Sequence, residues 1–317
     1  MAVPSRKPKR AAQKFAFLDP AALQELKNLR FAARRIVEGT TAGRHRSNVR
    51  GSSPEFADYR AYTPGDDLRR LDWKVYLRIG RPFVRTYDEE TNMNVSLALD
   101  VSASMNYGGS DSSSARGARL TKLDYSRFLA AALAYLVVDS RDRAALALVG
   151  DGLQGWSQPG STRTHLDKLL ANIEQARTAT KTNLAAALQT LFTLTRRRGV
   201  LVLISDFLGQ NLDELFQAVR LFRHRRFEVV LFHIIHPEEL SLPDGRAFRF
   251  FDPEGEGQLE VNPQEMIEHY QKEFELYRQR LRNLAVGCGC EYELLNTTTP
   301  YPEAIRSYLR RREAIQR

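Results

Sequence analysis

One stretch decides the fold of this chain: Asn94-Val-Ser-Leu-Ala-Leu-Asp100-Val-Ser102-Ala-Ser104-Met105. Its residues 95–99 have the length and apolar composition of a strand that is buried on both faces, as in the parallel sheets of α/β proteins. Asp100 follows at the carboxyl end of that strand, the edge at which open α/β sheets bind ligands. A carboxylate and two hydroxyls at alternate positions offer only oxygen ligands, which suits a hard divalent cation such as Mg²⁺.

Taken alone, an Asp-x-Ser-x-Ser motif is more often a strand followed by a serine-rich turn than a metal site. A second apolar run, Gly199-Val-Leu-Val-Leu-Ile-Ser-Asp206, also ends in an aspartate where the chain leaves the sheet. Between the two runs, a threonine at position 182 precedes a helical segment and supplies a third hydroxyl. The sequence therefore predicts that three loops converge on one ion. The candidate metal ligands are Asp100, Ser102, Ser104, Thr182 and Asp206.

These five positions resemble the metal-ion-dependent adhesion site of the von Willebrand factor A-type domain, and all five match. Upstream, a longer segment looks like the signature of the domain-of-unknown-function fifty-eight family: Arg60-Ala-Tyr62-Thr-Pro64-Gly65-Asp66-Asp67-Leu-Arg69-Arg-Leu71-Asp72-Trp73-Lys74. Members of that family carry this segment just before the A-type domain, and this chain keeps the order. The resemblance covers roughly residues 40 to 240, and the compound signature is much more specific than the metal motif alone.

The resemblance implies a fold, a metal and partners. The fold is α/β, a doubly wound and mostly parallel six-stranded sheet of the von Willebrand factor A type, with an N-terminal helical and β extension. The implied metal is Mg²⁺, with Mn²⁺ or Ca²⁺ as alternatives, and a carboxylate from another protein completes its shell. The implied partners are a MoxR-type AAA+ ATPase and a client protein, for which such proteins look like adaptors in assembly or maturation. Candidate partner-binding residues in the signature are Arg60, Tyr62, Asp66, Asp67, Arg69, Asp72 and Trp73.

The alternation of strand-like and helix-like segments independently predicts a doubly wound sheet. If the strand order is 3-2-1-4-5-6, the strands that end at Asp100 and Asp206 are neighbours at the topological switch point. Their two carboxylates then share one crevice. The residues that extend the first metal loop, 106–119, are rich in Gly and Ser and fit either a lid or a disordered insertion.

We predict five segments along the chain. They are a disordered basic tail (1–18), an N-terminal helix with the signature segment (19–92), the A-type core (93–240), an insertion (241–262) and a helix-strand-helix that completes the core (263–317). Within the signature, Thr63-Pro64-Gly65-Asp66 has the residue types of a type II turn. The neighbouring acidic and basic residues suggest an ion-pair lattice that fixes geometry or offers a docking face.

The charge balance favours acidic partners. The 317 residues include 47 Lys and Arg against 38 Asp and Glu, a net charge of +9, which invites nucleic acid, an anionic membrane or an acidic protein face. No apolar stretch approaches the roughly 20 residues that cross a bilayer, and no apolar signal region opens the chain, so we expect a cytoplasmic protein. The histidine spacing matches no zinc motif and no P-loop is present, so neither zinc nor P-loop ATP binding is expected.

We expect a binding protein rather than an enzyme, with no small-molecule substrate. A metal-dependent phosphoester hydrolase is the alternative from another class, because Mg²⁺ beside basic residues can polarise a phosphoryl group. No general base stands out near the predicted site, which argues against it. A basic nucleic-acid-binding protein is a further alternative, and steep salt dependence with indifference to Mg²⁺ would distinguish it.

Overall fold

The computed structural model describes residues 55–64, 66, 71–88, 93–109, 120–179, 182–240, 248–251, 258–261 and 263–316. These residues fall into two compact units, a smaller one within residues 36–92 and a larger one that begins at residue 93. The predicted basic tail and the helix predicted after it lie outside the described residues. So do residues 110–119 of the predicted lid or insertion.

The smaller unit contains an antiparallel strand pair and one short helix. Strand β1 is Glu55–Ala61, helix α1 is Trp73–Ile79 and strand β2 is Phe83–Asp88. β1 and β2 pair along their length with one register shift. Leu71 forms a bridge to Val84, and both side chains are buried. Leu71 and Val84 are the buried apolar side chains in the described part of this unit.

The larger unit is built on a six-stranded sheet. The strands of this unit are β3 (Asn94–Asp100), β4 (Arg143–Gly150), β5 (Gly152–Gly160), β6 (Gly199–Ser205), β7 (Glu228–Ile235), β8 (Phe248–Phe251), β9 (Gln258–Val261) and β10 (Glu291–Asn296). β8 and β9 form a separate antiparallel pair, and the other six form one sheet in the order β10-β7-β6-β3-β4-β5. The pairs are parallel except β4 with β5. Numbered along the chain and viewed from the other edge, this is the order 3-2-1-4-5-6, the condition under which the strands that end at Asp100 and Asp206 were expected to be neighbours.

Helices cover both faces of the sheet. They are α2 (Lys122–Asp139), α3 (Arg163–Gln175), α4 (Leu184–Leu194), α5 (Leu212–His224), the short α6 (Pro237–Leu240), α7 (Pro263–Gly287) and α8 (Tyr301–Gln316), with a 3₁₀ turn at Ser104–Asn106. Buried side chains of α2, α3 and α8 form one apolar layer, and those of α4, α5 and α7 form the other. Within the part of the chain that the structure describes, none of the helices has the length and hydropathy to cross a membrane.

The central strand explains why the core has two layers. Val95, Leu97 and Leu99 of β3 are fully buried in the layer of α2, whereas Ala98 is buried in the layer of α5. Side chains alternate between the faces of a strand, so an apolar run without polar interruption requires cover on both sides. The predicted α/β class with a mostly parallel six-stranded sheet is therefore confirmed.

Gly199, the first residue of β6, tests how closely the central strands approach each other. A Cβ at this position would lie 2.1 Å from the backbone oxygen of Asn94 in β3. We expect Gly199→Ala to lower the free energy of unfolding by about 1–3 kcal/mol, because backbone must move to admit the methyl group. Urea unfolding measures the effect. Gly287→Ala is the control, since a Cβ there meets nothing within 4 Å. Equal stability of the two variants would contradict the described approach of β6 to β3.

Candidate metal centre

Asp100 is the last residue of β3, and each of its two carboxylate oxygens accepts a hydrogen bond. Its Oδ1 accepts a hydrogen bond from the backbone N–H of Ser102 at 2.9 Å. Its Oδ2 accepts one from the hydroxyl of Ser205, the last residue of β6, at 2.5 Å. The side chain is almost inaccessible to solvent. These bonds fix the carboxylate at the carboxyl edge of the sheet, where the sequence placed it.

The two serines of the first loop lie against each other. The hydroxyl oxygens of Ser102 and Ser104 are 3.0 Å apart, and one hydroxyl donates to the other. Ser102 is fully buried, and Ser104 is buried at the start of the 3₁₀ turn. The backbone N–H of Met105 donates to the carbonyl of Ser102 and closes the turn. The loop therefore gathers two neutral oxygen donors beside the backbone that follows Asp100.

Hydrogen bonds join the second loop to the first and third. The backbone N–H of Ala179 donates to the carbonyl of Val101 at 2.7 Å, and that of Asn183 donates to the carbonyl of Gly150 at 2.9 Å. The side-chain oxygen of Gln210, which follows the third loop, accepts from the N–H of Leu184 at 3.1 Å. Residue 182 lies within this segment and is partly buried. The structure thus places the segment that carries Thr182 against the loops at the ends of β3 and β4.

Asp206 forms an ion pair that sequence analysis missed. The Nζ of Lys122 lies 2.7 Å from Oδ2 of Asp206 and 2.5 Å from Oε1 of Glu239. The Oδ1 of Asp206 accepts a hydrogen bond from the N–H of Leu208 at 3.1 Å. The Lys122 side chain is completely buried, and Asp206 is nearly so. Both oxygens of Asp206 are therefore already engaged within the chain.

Lys122 is the first residue of α2, where the helix dipole disfavours a positive charge. Burial by itself would lower the pKa of the Lys122 ammonium, but the charges of Asp206 and Glu239 outweigh burial and raise that pKa. The two carboxylates therefore keep the lysine charged in the interior. No local signal in the sequence marks Lys122 as buried, because a lysine at the start of a helix is usually exposed to solvent.

The electrostatics around Asp100 favour a further cation. Burial, followed by the negative charge of Asp206, raises the pKa of Asp100 to about 7, although hydrogen bonds from Ser205 and Ser102 oppose this shift. Among the described residues, Lys122 is the cation that pairs with Asp206 and Glu239. The carboxylates of Asp100, Asp206 and Glu239 together outnumber this one ammonium, so the site has excess negative charge when all four groups are ionised. An all-oxygen donor set with excess negative charge fits a hard divalent cation.

The raised pKa of Asp100 predicts a pH dependence for the metal-free protein. Because the folded state binds the Asp100 proton more tightly than the unfolded state does, the protonated carboxyl stabilises the folded state. This stabilisation is complete below pH 3.8, the ordinary pKa, and is lost as pH rises through about 7. Asp100→Asn stays neutral, so we expect it to gain stability relative to wild type between these values, by up to about 1.4 kcal/mol per pH unit. Urea unfolding in EDTA across this range measures the difference.

His233, near the site, gives the free energy of unfolding the opposite pH dependence, so the effect of Asp100 is measured as a difference between wild type and Asp100→Asn. Burial lowers the pKa of His233 to about 3, so its contribution is present above the ordinary value of 6.5 and is lost as pH falls. The charged side chains of Lys122, Asp206 and Glu239 at the site are present in both wild type and Asp100→Asn. A stability difference that is constant with pH would show that Asp100 does not titrate as described.

Two signature aspartates bond within their own segment. The Oδ2 of Asp66 accepts a hydrogen bond from the N–H of Thr63, and Arg60 pairs with its Oδ1 at 2.7 Å. These two contacts lower the pKa of Asp66. Asp72 is buried, accepts from the hydroxyl of Tyr59 at 2.9 Å, and caps α1 through the N–H groups of its first turn. Both carboxylates therefore stabilise the segment that presents them.

The remaining partner-binding candidates differ in exposure. Trp73 is 60% exposed, and the side chain of Arg60 is 52% exposed. Tyr62 is partly exposed. Asp67 and Arg69 lie outside the described residues. The predicted ion-pair lattice is represented in the described part of the segment by the pair of Arg60 with Asp66.

Comparisons with known proteins were made for the sequence and for the fold. The family model described as protein of unknown function DUF58 matches residues 58–280. Uncharacterized proteins of Mycobacterium bovis and Mycobacterium tuberculosis are each 32% identical to this chain over 231 residues, which is 71% of this chain and 69% of each relative. The family match includes the whole signature, residues 60–74, and every candidate metal ligand.

Similar solved structures include an aerotolerance-related membrane protein from Bacteroides fragilis, with 13% identity and a TM-score of 0.43. The match covers 69% of this chain and 99% of that chain. The von Willebrand factor A domain of SpRpn10 has 9% identity and a TM-score of 0.40, and the match covers 68% of this chain and 95% of that chain.

Proposed function

Because this chain belongs to the DUF58 family of proteins of unknown function, we propose its function from its own residues: it is a protein-binding adaptor that depends on a divalent cation. The cation, Mg²⁺ in the first instance, lies at the carboxyl edge of the sheet and engages an acidic residue of a partner protein. The observation that carries this proposal is the geometry at the carboxyl edge of the sheet, where the buried Asp100 carboxylate lies beside two touching serine hydroxyls.

The proposed site residues have different roles in binding the ion. Asp100 is the charged ligand, and Ser102, Ser104 and Thr182 provide neutral oxygens. Asp206 acts on the ion through its charge or through a water molecule, because it already pairs with the Lys122 ammonium, whereas Asp100 accepts hydrogen bonds from neutral donors. When bound, the ion supplies a concentrated positive charge that attracts a carboxylate. Three of the proposed ligands are neutral hydroxyls, so the ion stays electrophilic toward an acidic group from another protein.

We propose a MoxR-type AAA+ ATPase and a client protein as the partners, in the assembly or maturation of other proteins. The support is the resemblance of the signature segment and of the five metal positions to the family described above. The proposed role is binding rather than catalysis, because every residue assigned to the site holds an ion or another residue of the chain.

The test uses the purified chain and the MoxR-type ATPase of the same organism. We expect binding in Mg²⁺ and a loss of affinity of about tenfold or more in EDTA, which corresponds to about 1.4 kcal/mol. Ser104→Ala is expected to weaken binding in Mg²⁺, whereas Ser161→Ala, at an exposed position before α3, is the matched control. Equal affinities in Mg²⁺ and EDTA would reject the proposal.

The same preparations test the hydrolase alternative. Generic phosphoesters are incubated with the protein in Mg²⁺, and the adaptor proposal expects no turnover above buffer. Mg²⁺-dependent turnover that disappears in Asp206→Ala would replace the adaptor with an enzyme.

A further inference from the structure

Helix α1 of the signature segment is apolar and yet has no buried residue. Its large side chains are exposed: Trp73 by 60%, Tyr76 by 39%, Leu77 by 83% and Ile79 by 58%. A helix of seven residues is too short to be stable by itself, and helices in proteins gain most of their stability by burying an apolar face. Here the helix depends on its two ends, the Asp72 cap and a left-handed Gly80 with φ of +70°. Its apolar face remains available.

Three of these side chains form one continuous face. Residues 73, 76 and 77 follow the i, i+3, i+4 spacing that places side chains together along a helix. The rings of Trp73 and Tyr76 contact each other edge to face, with centroids 6.2 Å apart and planes at 90°. We call the three side chains of Trp73, Tyr76 and Leu77 the Trp73 stripe. Fixed aromatic side chains of this kind lose little entropy when a partner covers them.

The exposed charged side chains on α1 and directly after it are cations. Lys74 and Arg78, four residues apart, occupy the neighbouring face of α1, and Arg81 follows its last turn. All three side chains are exposed. Within the described residues, none of the three forms an ion pair. The surface therefore combines an apolar stripe with a cationic border.

We propose that α1 is a docking surface for an acidic amphipathic segment of a partner protein. Apolar side chains of that segment cover the Trp73 stripe, and its carboxylates face Lys74, Arg78 and Arg81. The surface needs no metal and lies in the smaller unit, so it goes beyond the proposed ion-dependent site. Two turns of helix with three cations are a small area for a lipid surface, since interfacial helices are usually much longer. Leu77 and Ile79 are aliphatic and offer no stacking platform for bases, and the rings of Trp73 and Tyr76 stand at 90° to each other rather than as parallel platforms. Both observations favour a protein partner over nucleic acid.

Tryptophan fluorescence gives the test, because the chain has 2 tryptophans. Trp156→Phe in the full chain leaves Trp73 as the reporter. Iodide is expected to quench Trp73 in the free protein. The probe is a synthetic amphipathic helix with leucine at i, i+3, i+4 and i+7 and glutamate at the other positions. We expect it to shift the emission of Trp73 to the blue and to shield it from iodide, with weaker binding as salt rises.

Matched peptides and variants complete the design, and all measurements are made in EDTA so that failure of the metal site does not affect them. A lysine-for-glutamate peptide and an alanine-for-leucine peptide are expected to bind at least tenfold more weakly. Leu77→Asp is expected to lower the affinity for the glutamate peptide by about tenfold or more. Val286→Asp, at a position 63% exposed on α7, is expected to leave that affinity unchanged. Circular dichroism shows that both variants fold.

Several results would overturn the proposal. Resistance of Trp73 to iodide in the free protein would show that this chain covers the stripe itself. Equal affinity for the lysine and glutamate peptides would show that the cations have no role in binding. Absence of glutamate-peptide binding up to about 1 mM would show that α1 is not a docking surface for such a segment. Tighter binding of anionic phosphatidylserine vesicles or of a single-stranded oligonucleotide, lost in Leu77→Asp, would assign α1 to a membrane or to nucleic acid instead.

Discussion

Lys122→Met is expected to lower the free energy of unfolding by about 3–5 kcal/mol, because it removes one partner of a buried ion pair and leaves the others uncompensated. The Lys122 ammonium contacts Asp206 at 2.7 Å and Glu239 at 2.5 Å, and its side chain is fully buried. Methionine has a similar length and leaves little cavity, so the loss reports charge rather than packing. Urea unfolding of the metal-free protein at neutral pH measures it.

Two further variants separate this explanation from a general effect of losing a lysine. Lys168→Met, at an exposed position on α3, is expected to change stability by less than about 0.5 kcal/mol. Adding Asp206→Asn and Glu239→Gln to Lys122→Met is expected to recover part of the lost stability, because neutral amides then replace two carboxylates that repel each other. If Lys122→Met is as stable as Lys168→Met, the buried ion pair described here does not exist in solution.

The second large effect concerns Mg²⁺ itself. A ligand at about 100 times its dissociation constant stabilises the folded state by about 2.7 kcal/mol, which for a domain of this size raises the melting temperature by roughly 5–10 °C. We expect such a shift with Mg²⁺ in the wild-type protein and in Ser161→Ala. Scanning calorimetry in Mg²⁺ and in EDTA measures it.

One ligand from each loop is then removed in turn. Ser104→Ala, Thr182→Ala and Asp206→Asn are each expected to reduce the Mg²⁺-dependent shift, because all three loops contribute to the same ion. The metal-free stability of each variant is measured first, so that the loss of an internal contact is not mistaken for loss of the ion. A full shift in Thr182→Ala would remove the second loop from the site.

The mostly parallel, doubly wound sheet was predictable from its apolar runs, two of which each end in an aspartate, whereas the strand order entered only as a condition. Strands without polar interruption are covered on both faces, and alternation with helices leaves few arrangements of a parallel sheet. The observed neighbours β3 and β6, which end at Asp100 and just before Asp206, follow from this pattern. Ser205 was missed, although it precedes Asp206 by one residue, because its bond to Asp100 depends on the pairing of two strands that are distant in sequence.

Other features depended on contacts that no local pattern reveals. A lysine in a sequence usually predicts a solvent-exposed side chain, and the burial of Lys122 results from Asp206 after β6 and Glu239 in α6. Helix α1 was not predicted, since seven residues are too short a segment for helical spacing of apolar residues to stand out in the sequence. Its Asp72 cap was a local signal that a search for helix N-termini would have found.

The central claim is that residues from three loops form one site for a divalent cation. Mn²⁺ titrated into the metal-free protein is counted by the electron paramagnetic resonance signal of the free ion. We predict one bound Mn²⁺ per chain, displaced by excess Mg²⁺, kept in Ser161→Ala and weakened at least tenfold in Asp100→Ala. No bound Mn²⁺ at millimolar concentration, or binding that is unchanged in Asp100→Ala, would contradict the claim.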